Sequence, residues 1–204
     1  MLILAYLLGS IPTAIIAARL RKGIDIRKEG SGNAGATNAA RVLGLRVGIA
    51  VALIDLAKGL LAVLLVARIA PVADGGSPAL CGIAAVTGHV FPVFAGFRGG
   101  KGVATGTGAA IAVFPLLAPF CLVIFLVMSA LSRWISLASL TAAFVLPGMY
   151  LTSCLFGAHF DPWKAGFAIA LVLFITVTHR GNIARLMRGE ERKLDIKRMF
   201  QAPK

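Results

Sequence analysis

Long uncharged, apolar runs alternate with short basic segments along this chain. Segments 103–132 and 134–159 contain no charged residue, and a helix that crosses the hydrocarbon core of a bilayer needs about 20 apolar residues. The apolar runs predict helices at about 1–18, 47–67, 79–96, 134–156 and 164–179. The pattern therefore predicts an all-α integral membrane protein.

Composition supports a membrane protein, because 58% of the residues are hydrophobic and only 14% are charged. Soluble domains average about 45–50% apolar residues. The N-terminus is apolar from Met1 and lacks the basic start of a cleavable signal peptide, so we expect a retained first span with its N-terminus outside. The three cysteines all lie in apolar runs and are interpreted as small buried hydrophobes.

The segment 103–131 predicts either one long tilted helix or a hairpin that turns near Pro115 and Pro119, because proline interrupts a helix. Cytoplasmic loops carry an excess of Lys and Arg, and the hairpin puts 18 of the 21 inside. We therefore predict about seven transmembrane helices, two of them short, with a cytoplasmic C-terminus. They form one domain, 1–188, followed by a basic cytoplasmic tail, 189–204.

The net charge of +13 is explained by this topology and by attraction to anionic lipid, and it does not indicate nucleic-acid binding. Inside the span 47–67, Asp55 and Lys58 are three residues apart on one helical face and can pair. An ionisable pair within a membrane either marks function or neutralises itself. The sequence leaves both explanations open.

The first candidate for binding chemistry is the stretch GSGNAGATNAAR at 30–41. Its glycines let backbone N–H groups approach an anion, and a helix beginning near Ala34 would direct its positive end at that anion. Ser31 is placed to cap this helix or to bond a substrate oxygen. A capped interfacial helix is the alternative, but it does not need so many polar side chains. The candidate residues are Ser31, Gly32, Asn33, Thr37, Asn38 and Arg41.

The second candidate is the glycine-rich stretch 88–108, between two predicted spans. It superficially resembles a nucleotide-binding P-loop, but Ala95 replaces the first glycine and Gly102 replaces the hydroxyl that binds magnesium. The stretch therefore does not indicate a nucleoside triphosphatase, and a glycine nest between two cations is left as a general anion cradle. Tight helix packing is the alternative explanation of the glycines. The candidate residues are His89, Arg98, Gly99, Gly100, Lys101, Gly102 and Thr105.

The third candidate is the stretch 178–193, where the last predicted span reaches the cytoplasm. Its candidate site residues are His179 and Asn182, which lie closer to the other two stretches, and Arg185, which shares a helical face with Asn182. From Arg188 onward we expect an amphipathic tail on the membrane surface. The predicted topology puts all three stretches on one side, which suggests that a phosphorylated water-soluble partner meets an anionic, lipid-borne one.

The motifs SGNAGATNAAR, GHVFPVFAGFRGGKGVAT and HRGNIARLMRGEERK resemble those of the bacterial acyl-phosphate-dependent glycerol-3-phosphate acyltransferases, the PlsY family. The resemblance extends from Gly9 to Lys193. It implies transfer of a fatty acyl group from acyl phosphate to the sn-1 hydroxyl of glycerol 3-phosphate, giving 1-acylglycerol 3-phosphate (lysophosphatidate) and phosphate, in the first step of phospholipid synthesis. It also implies a multi-pass protein of the bacterial inner membrane with a cytoplasmic active site, no cofactor and no metal.

The sequence adds one observation on the donor. Acyltransferases that use acyl-CoA or acyl carrier protein carry a His-x4-Asp pair, whereas His89, His159 and His179 are followed at that distance by Phe94, Lys164 and Ala184. Acyl phosphate already has a good leaving group, so the protein needs mainly to position two anions. The base is then either a substrate phosphate or His89.

On this interpretation the residues divide by substrate. Glycerol 3-phosphate is assigned to the first stretch and the head of acyl phosphate to 98–102, with Lys101 at the transferring centre. His179 and Asn182 complete the site. The catalytic candidates are Ser31, Arg41, His89, Lys101 and Asn182. Membrane lipids are expected partners, and the enzyme that supplies acyl phosphate is a candidate partner.

A transporter of a phosphorylated metabolite is the alternative function. Transporters place irregular backbone near the middle of the membrane, often in two repeated halves. The polar stretches here lie at one predicted interface, and the sequence has no internal repeat. We therefore favour the enzyme.

Overall fold

A computed structural model of the protein describes residues 1–69, 71 and 75–194. In that part of the chain the fold is all-helical, without strands. A π-helical turn, Ala62–Val66, joins the fourth helix to the fifth, and 3-10 turns cover Ile26–Lys28 and Val93–Ala95. The α-helices are α1 Leu2–Gly9, α2 Thr13–Lys22, α3 Ala36–Leu43, α4 Leu45–Leu61, α5 Ala67–Ile69, α6 Ser77–Val90, α7 Val103–Val113, α8 Leu117–Ser132, α9 Ile135–Leu155, α10 Pro162–Thr178 and α11 Arg180–Met187.

Four helical stretches of the described chain are long and apolar enough to cross a membrane. They are Leu2–Lys22, Leu45–Ile69, Ser77–Ala95 and Ile135–Leu155, and α10 and α11 make a fifth if this pair, bent by 64°, is one span. The predicted all-helical membrane protein is confirmed. The helices α7 and α8, at 11 and 16 residues, are shorter than a full crossing, so the seven-span count stays a prediction.

The predicted interruption of 103–131 is present between α7 and α8. Pro115 lies in the break, whereas Pro119 lies in the first turn of α8, where its missing N–H costs no helical hydrogen bond. One long tilted helix is therefore excluded. The two helices then pack mainly on different partners, α7 against α4 and α8 against α9.

Glycines allow α7 to approach α4 at backbone distance. A Cβ atom added at Gly108 would overlap the carbonyl oxygen of Leu56, and one added at Gly59 would overlap that of Thr105. Small residues permit this kind of close helix contact inside a membrane. The contact fixes the start of α7, and the loop before it, beside the polar residues of α4.

The first span is broken at residues 10–12, between α1 and α2. Lys58 Nζ of α4 donates to the carbonyl oxygen of Ile11 at 2.8 Å, and the Thr13 hydroxyl donates to Asp55 Oδ1 at 2.9 Å. Asp55 and Lys58 form the predicted ion pair at 2.8 Å, with both side chains buried. The pair therefore provides polar partners for backbone and side-chain groups at the break.

The contact between α4 and α7 predicts opposite effects for two Gly→Ala substitutions in detergent. Gly108→Ala should lower the unfolding temperature, because overpacking costs about 1–3 kcal/mol. Gly148→Ala is the control, since an added Cβ there meets nothing within 4 Å, and removing a helical glycine stabilises by roughly 0.5–1 kcal/mol. Thermal unfolding measures both. Equal unfolding temperatures for the two variants would contradict the close packing.

Candidate active site

Side chains from the second and third stretches meet directly. Lys101 Nζ donates to Asn182 Oδ1, and the Thr178 hydroxyl donates to the carbonyl oxygen of Lys101 at 3.1 Å. The first stretch joins them through Arg192, whose guanidinium donates to the carbonyl oxygen of Gly30 at 3.1 Å. The predicted convergence of the three stretches is therefore present in the structure.

The loop of the first stretch is organised around Asn38. Its buried amide accepts from the Ser31 N–H at 2.8 Å and donates to the carbonyl oxygens of Ile26 and Glu29, at 3.1 and 3.0 Å. Gly30 and Gly32 have left-handed backbone, with φ of 62° and 74°, which glycine adopts at low cost. Since both ends of the Asn38 amide are engaged, this residue shapes the loop rather than presenting a free polar group.

The helix of the first stretch begins later than predicted. It starts at Ala36 with Gly35 as its N-cap and no side-chain cap, so of the two alternatives for Ser31 the capping role is excluded. Ser31 is exposed in the loop, while Asn33 and Thr37 are half-buried. These three side chains remain accessible for contact with a ligand.

Arg41 on α3 lies close enough to Lys101 to act on its charge. These two cations form one polar cluster with Asn182, Arg185, Glu191 and Arg192. Burial and the nearby charges of Arg192 and Arg185 lower the pKa of the Arg41 guanidinium group from the ordinary value, while Glu191 opposes the decrease. A guanidinium stays charged at neutral pH despite such a shift. Arg41 therefore brings a fixed, half-buried positive charge to the site.

The second stretch differs from the predicted glycine nest. The N–H groups of Gly99 and Gly100 donate to the carbonyl oxygens of Val90 and His89, both at 3.1 Å, so the prediction that these two amides are open to an anion is wrong. They tie the loop to the end of α6 instead. Gly102, with φ of 83°, precedes the first residue of α7, and here the prediction of a glycine turn opening a helix is confirmed.

Two candidates of the second stretch form no hydrogen bond or ion pair with the polar cluster among the described residues. Arg98 is exposed. Thr105 is fully buried at the contact between α4 and α7, and its hydroxyl has no hydrogen-bond partner among the described residues. The structure therefore does not bring Thr105 to Lys101, although both belong to the same stretch.

His179 stands at the bend between α10 and α11, with its side chain buried. Its Nδ1 lies 2.8 Å from the carbonyl oxygen of Ile175. A carbonyl oxygen only accepts, so Nδ1 carries the proton and Nε2 is the nitrogen left without one in the neutral ring. One turn later, Asn182 is buried at the centre of the cluster.

Glu191 is the site residue that the sequence analysis missed. Its carboxylate accepts from Asn182 at 2.5 Å, and from Ser136 and Arg185 at 2.8 Å each. Burial would raise the pKa of this carboxyl, but the hydrogen bonds from Asn182, Ser136 and Arg185 outweigh it and hold the pKa below the ordinary value. The sequence offered one signal for this role: Glu191 is an acidic residue in a basic segment, and it follows Asn182 and Arg185, which share one helical face.

The predicted surface tail from Arg188 onward is therefore wrong at Glu191 and Arg192. The Glu191 side chain is only 7% exposed, and Arg192 reaches the first stretch. Residues 195–204 of the predicted tail 189–204 lie outside the described part of the chain.

Lys101 is half-buried where the three stretches meet. Burial lowers the pKa of its ammonium group to about 8; Arg185 and Arg41 act in the same direction, and Glu191 opposes them. Below that pH the group is mainly charged, and an arriving anion would stabilise the charged form further. Because several cations share one buried carboxylate, the cluster is suited to binding anions such as phosphate monoesters.

The chain resembles a set of known proteins over almost its whole length. The model of a family described as glycerol-3-phosphate acyltransferase matches residues 1–189. Proteins named glycerol-3-phosphate acyltransferase are 42% identical in Chlorobaculum tepidum, over 97% of this chain and 96% of the relative, and 43% identical in Bacillus velezensis, over 95% and 96%.

Two solved structures are similar in fold and sequence. Both are crystal structures of PlsY, an integral membrane glycerol 3-phosphate acyltransferase. The glycerol 3-phosphate form has a TM-score of 0.85 and 40% identity, over 95% of this chain and 94% of that chain. The lysophosphatidic acid form has a TM-score of 0.83 and 38% identity, over 98% and 96%.

The hydrogen bonds of Glu191 predict a stability difference between two neighbouring acidic residues. Glu191→Gln should lower the unfolding temperature at pH 7, because hydrogen bonds to a charged group contribute about 1.5–3 kcal/mol. Glu190→Gln is the matched control, since Glu190 is exposed and pairs only with Arg188 among the described residues. Thermal unfolding in detergent gives both values.

The effect of Glu191→Gln should also depend on pH. The folded pKa of Glu191 lies below the ordinary 4.5, so its contribution to stability is complete above pH 4.5 and is lost as the pH falls through the folded pKa. A difference from wild type that persists unchanged at lower pH would show that the charge of Glu191 is not responsible.

Proposed function

The chain belongs to the glycerol-3-phosphate acyltransferase family, and we propose that it acylates the sn-1 hydroxyl of glycerol 3-phosphate with acyl phosphate as the donor. It is a multi-pass membrane acyltransferase of phospholipid synthesis, and glycerol 3-phosphate is its acceptor substrate. The products are lysophosphatidate and inorganic phosphate. No observation favours the transporter over this enzyme.

The cluster around Lys101 is the observation that carries the proposal. Two substrates that each bear a phosphate repel each other, and fixed cations at the meeting point offset that repulsion without reorganising during the reaction. Lys101 is held by Asn182, and the pKa of its ammonium group is sensitive to the charges of Arg41 and Arg185. Three cations from three separate stretches thus act on one small region.

The substrates divide between the loops according to which groups are free. Glycerol 3-phosphate is assigned to the first stretch and acyl phosphate to the second, with Lys101 at the reacting centre. Asn38, Gly99 and Gly100 hold the loops in shape, because their polar groups are already engaged. The Gly32 N–H already donates to the carbonyl oxygen of Glu29 at 2.9 Å, so Gly32 also shapes its loop. The proposed contacts are Ser31, Asn33, Thr37 and Arg41 for the acceptor, Arg98, Lys101 and Gly102 for the donor, and His179, Asn182 and Arg185 to complete the site.

The reaction needs little covalent chemistry from the protein. The sn-1 hydroxyl oxygen attacks the acyl carbonyl carbon and forms the ester bond. The bond from that carbon to the phosphate oxygen breaks, and phosphate leaves with the electron pair. The hydroxyl proton passes to a substrate phosphate, whose second ionisation lies near pH 6 by analogy with phosphorylated side chains. His89 is not placed to act as the base, because its ring is buried against Gly100.

The proposal includes an orientation in the membrane. Seven helices, with α7 and α8 as short ones and the N-terminus outside, would put the three stretches on the cytoplasmic face of the bacterial inner membrane. The distribution of Lys and Arg supports this orientation, which puts 18 of the 21 on the cytoplasmic side. Acyl phosphate would enter from the lipid, and the enzyme that makes it is a candidate partner.

The choice of donor provides the first test. Purified protein should form lysophosphatidate from palmitoyl phosphate and glycerol 3-phosphate, and should not use palmitoyl-CoA, because no His-x4-Asp pair is present to activate the hydroxyl. Mass spectrometry of the extracted lipid measures the product. Robust turnover with palmitoyl-CoA, in the absence of acyl phosphate, would contradict the proposal.

The two central cations provide a second test. Lys101→Ala and Arg41→Ala should each reduce the rate at saturating substrate by about a hundredfold or more, because a fixed donor at the developing charge contributes several kcal/mol. Lys22→Ala is the control, since Lys22 is an exposed cation on the same predicted side. Lys197→Ala, at a position outside the described residues, is a second control. Near wild-type turnover in both loop variants would place the catalytic site elsewhere.

Single cysteines, in a background without native cysteine, test the orientation. Cysteines replacing the exposed Ser31 and Arg98 should resist an impermeant thiol reagent in intact cells, because both loops are assigned to the cytoplasm. Phe156→Cys should react, since this exposed residue follows the outer end of α9 in the proposed topology. Labelling of Ser31→Cys from outside the cell would show that the first stretch faces outward and would contradict the proposed orientation.

A further inference from the structure

His89, in the last turn of α6, holds the residue that precedes Lys101. Its carbonyl oxygen accepts from the Gly100 N–H at 3.1 Å. Its ring packs on the Gly100 Cα so closely that an added Cβ would overlap Nε2. Both halves of His89 therefore fix the backbone position from which the Lys101 side chain extends.

The opposite edge of the His89 ring faces Asp55. Nδ1 lies 3.6 Å from Asp55 Oδ1, and this buried nitrogen has no hydrogen-bond partner among the described residues. The same carboxylate is paired with Lys58 and accepts from Thr13. The Asp55 carboxylate therefore lies between the break of the first span, at residues 10–12, and the His89 ring that packs on Gly100.

Charge neutralisation requires only Asp55 and Lys58. It does not explain why the Asp55 carboxylate also lies next to the His89 ring. A carboxylate accepts hydrogen bonds and does not donate them, so it favours the ring with a proton on Nδ1. This leaves Nε2 without a proton where it faces Gly100. A carboxylate on the far nitrogen of a histidine commonly fixes both tautomer and orientation in this way.

We propose that Asp55 is a positioning residue for the acyl transfer, which acts by fixing the His89 ring that holds Gly100 and thereby places Lys101. This inference rests on the proposed function. The sequence left it open whether the buried pair marks function or only neutralises itself, and this inference assigns a different role to each residue of the pair. Lys58 compensates the charge of Asp55 and binds the broken first span, whereas Asp55 acts through His89.

The inference predicts a specific kinetic pattern for Asp55→Asn. The side-chain amide of Asn can donate as well as accept, so it no longer favours a proton on Nδ1 of His89. The His89 ring therefore loses its fixed tautomer. A displacement of about 1 Å at the reacting groups can cost on the order of a hundredfold in rate. We expect kcat to fall by tenfold or more, while the KM for glycerol 3-phosphate stays close to wild type, because Arg41 and the first loop are unaffected.

A double-mutant cycle separates positioning from a general structural role. Asp55→Asn, His89→Gln and the double variant are assayed with palmitoyl phosphate and glycerol 3-phosphate at saturation. If Asp55 acts through His89, the double variant should be no slower than the slower single variant, because residues that act as a unit are not additive. Independent losses that multiply would overturn the inference, and so would an Asp55→Asn variant with wild-type kcat.

Two further variants keep the test decisive. Thr13→Val removes another hydrogen bond from the same carboxylate without touching His89, so it should retain kcat. Asp55→Asn combined with Lys58→Met removes both buried charges and avoids an unpaired one; if the single variant does not fold, this pair should fold and show the same loss of kcat. Wild-type kcat in the folded pair would overturn the inference. Absence of turnover in wild type would instead refute the proposed function.

Discussion

Several cations that repel one another are held together at one point in this molecule, and Glu191 makes that possible. Arg185 donates to its carboxylate directly, and Lys101 is linked to it through Asn182. Without this carboxylate, Lys101, Arg41 and Arg185 would face each other across poorly hydrated space, where like charges are costly. With it, the cluster keeps an excess of positive charge and remains in position before any phosphate arrives, as fixed electrostatic catalysis requires.

The membrane determines how the rest of the fold supports that cluster. Helices in lipid gain little from hydrophobic association and depend on close packing and internal polar contacts. Gly59 and Gly108 let α4 and α7 approach at backbone distance. This approach sets the start of α7 next to the polar residues of α4, and Lys58 supplies a donor to the broken first span. The glycines and the buried ion pair therefore serve the loop that carries Lys101 as well as the stability of the helices.

Sequence patterns predicted those features that depend on local chemistry. The uncharged runs predicted the helices, and Pro115 predicted the break before α8. The three polar stretches predicted which residues would meet in the candidate site. The failures concern contacts between distant residues. Asn38 and Gly99 looked like ligand contacts, yet their polar groups satisfy neighbouring backbone. Glu191 was missed because hydropathy and charge counts assign a basic segment to the membrane surface, and they do not encode Ser136, 55 residues away, as its partner.

Direct transfer between two positioned anions is the central claim, and phosphate release tests it most directly. Purified protein is given palmitoyl phosphate with or without glycerol 3-phosphate, and inorganic phosphate and lysophosphatidate are both quantified. Since the protein supplies position rather than a nucleophile, phosphate should appear only with the acceptor present and in equal amount to lysophosphatidate. Release of phosphate without glycerol 3-phosphate, as a burst or at the same steady rate, would contradict the account, because it would reveal an acyl-enzyme or a hydrolase.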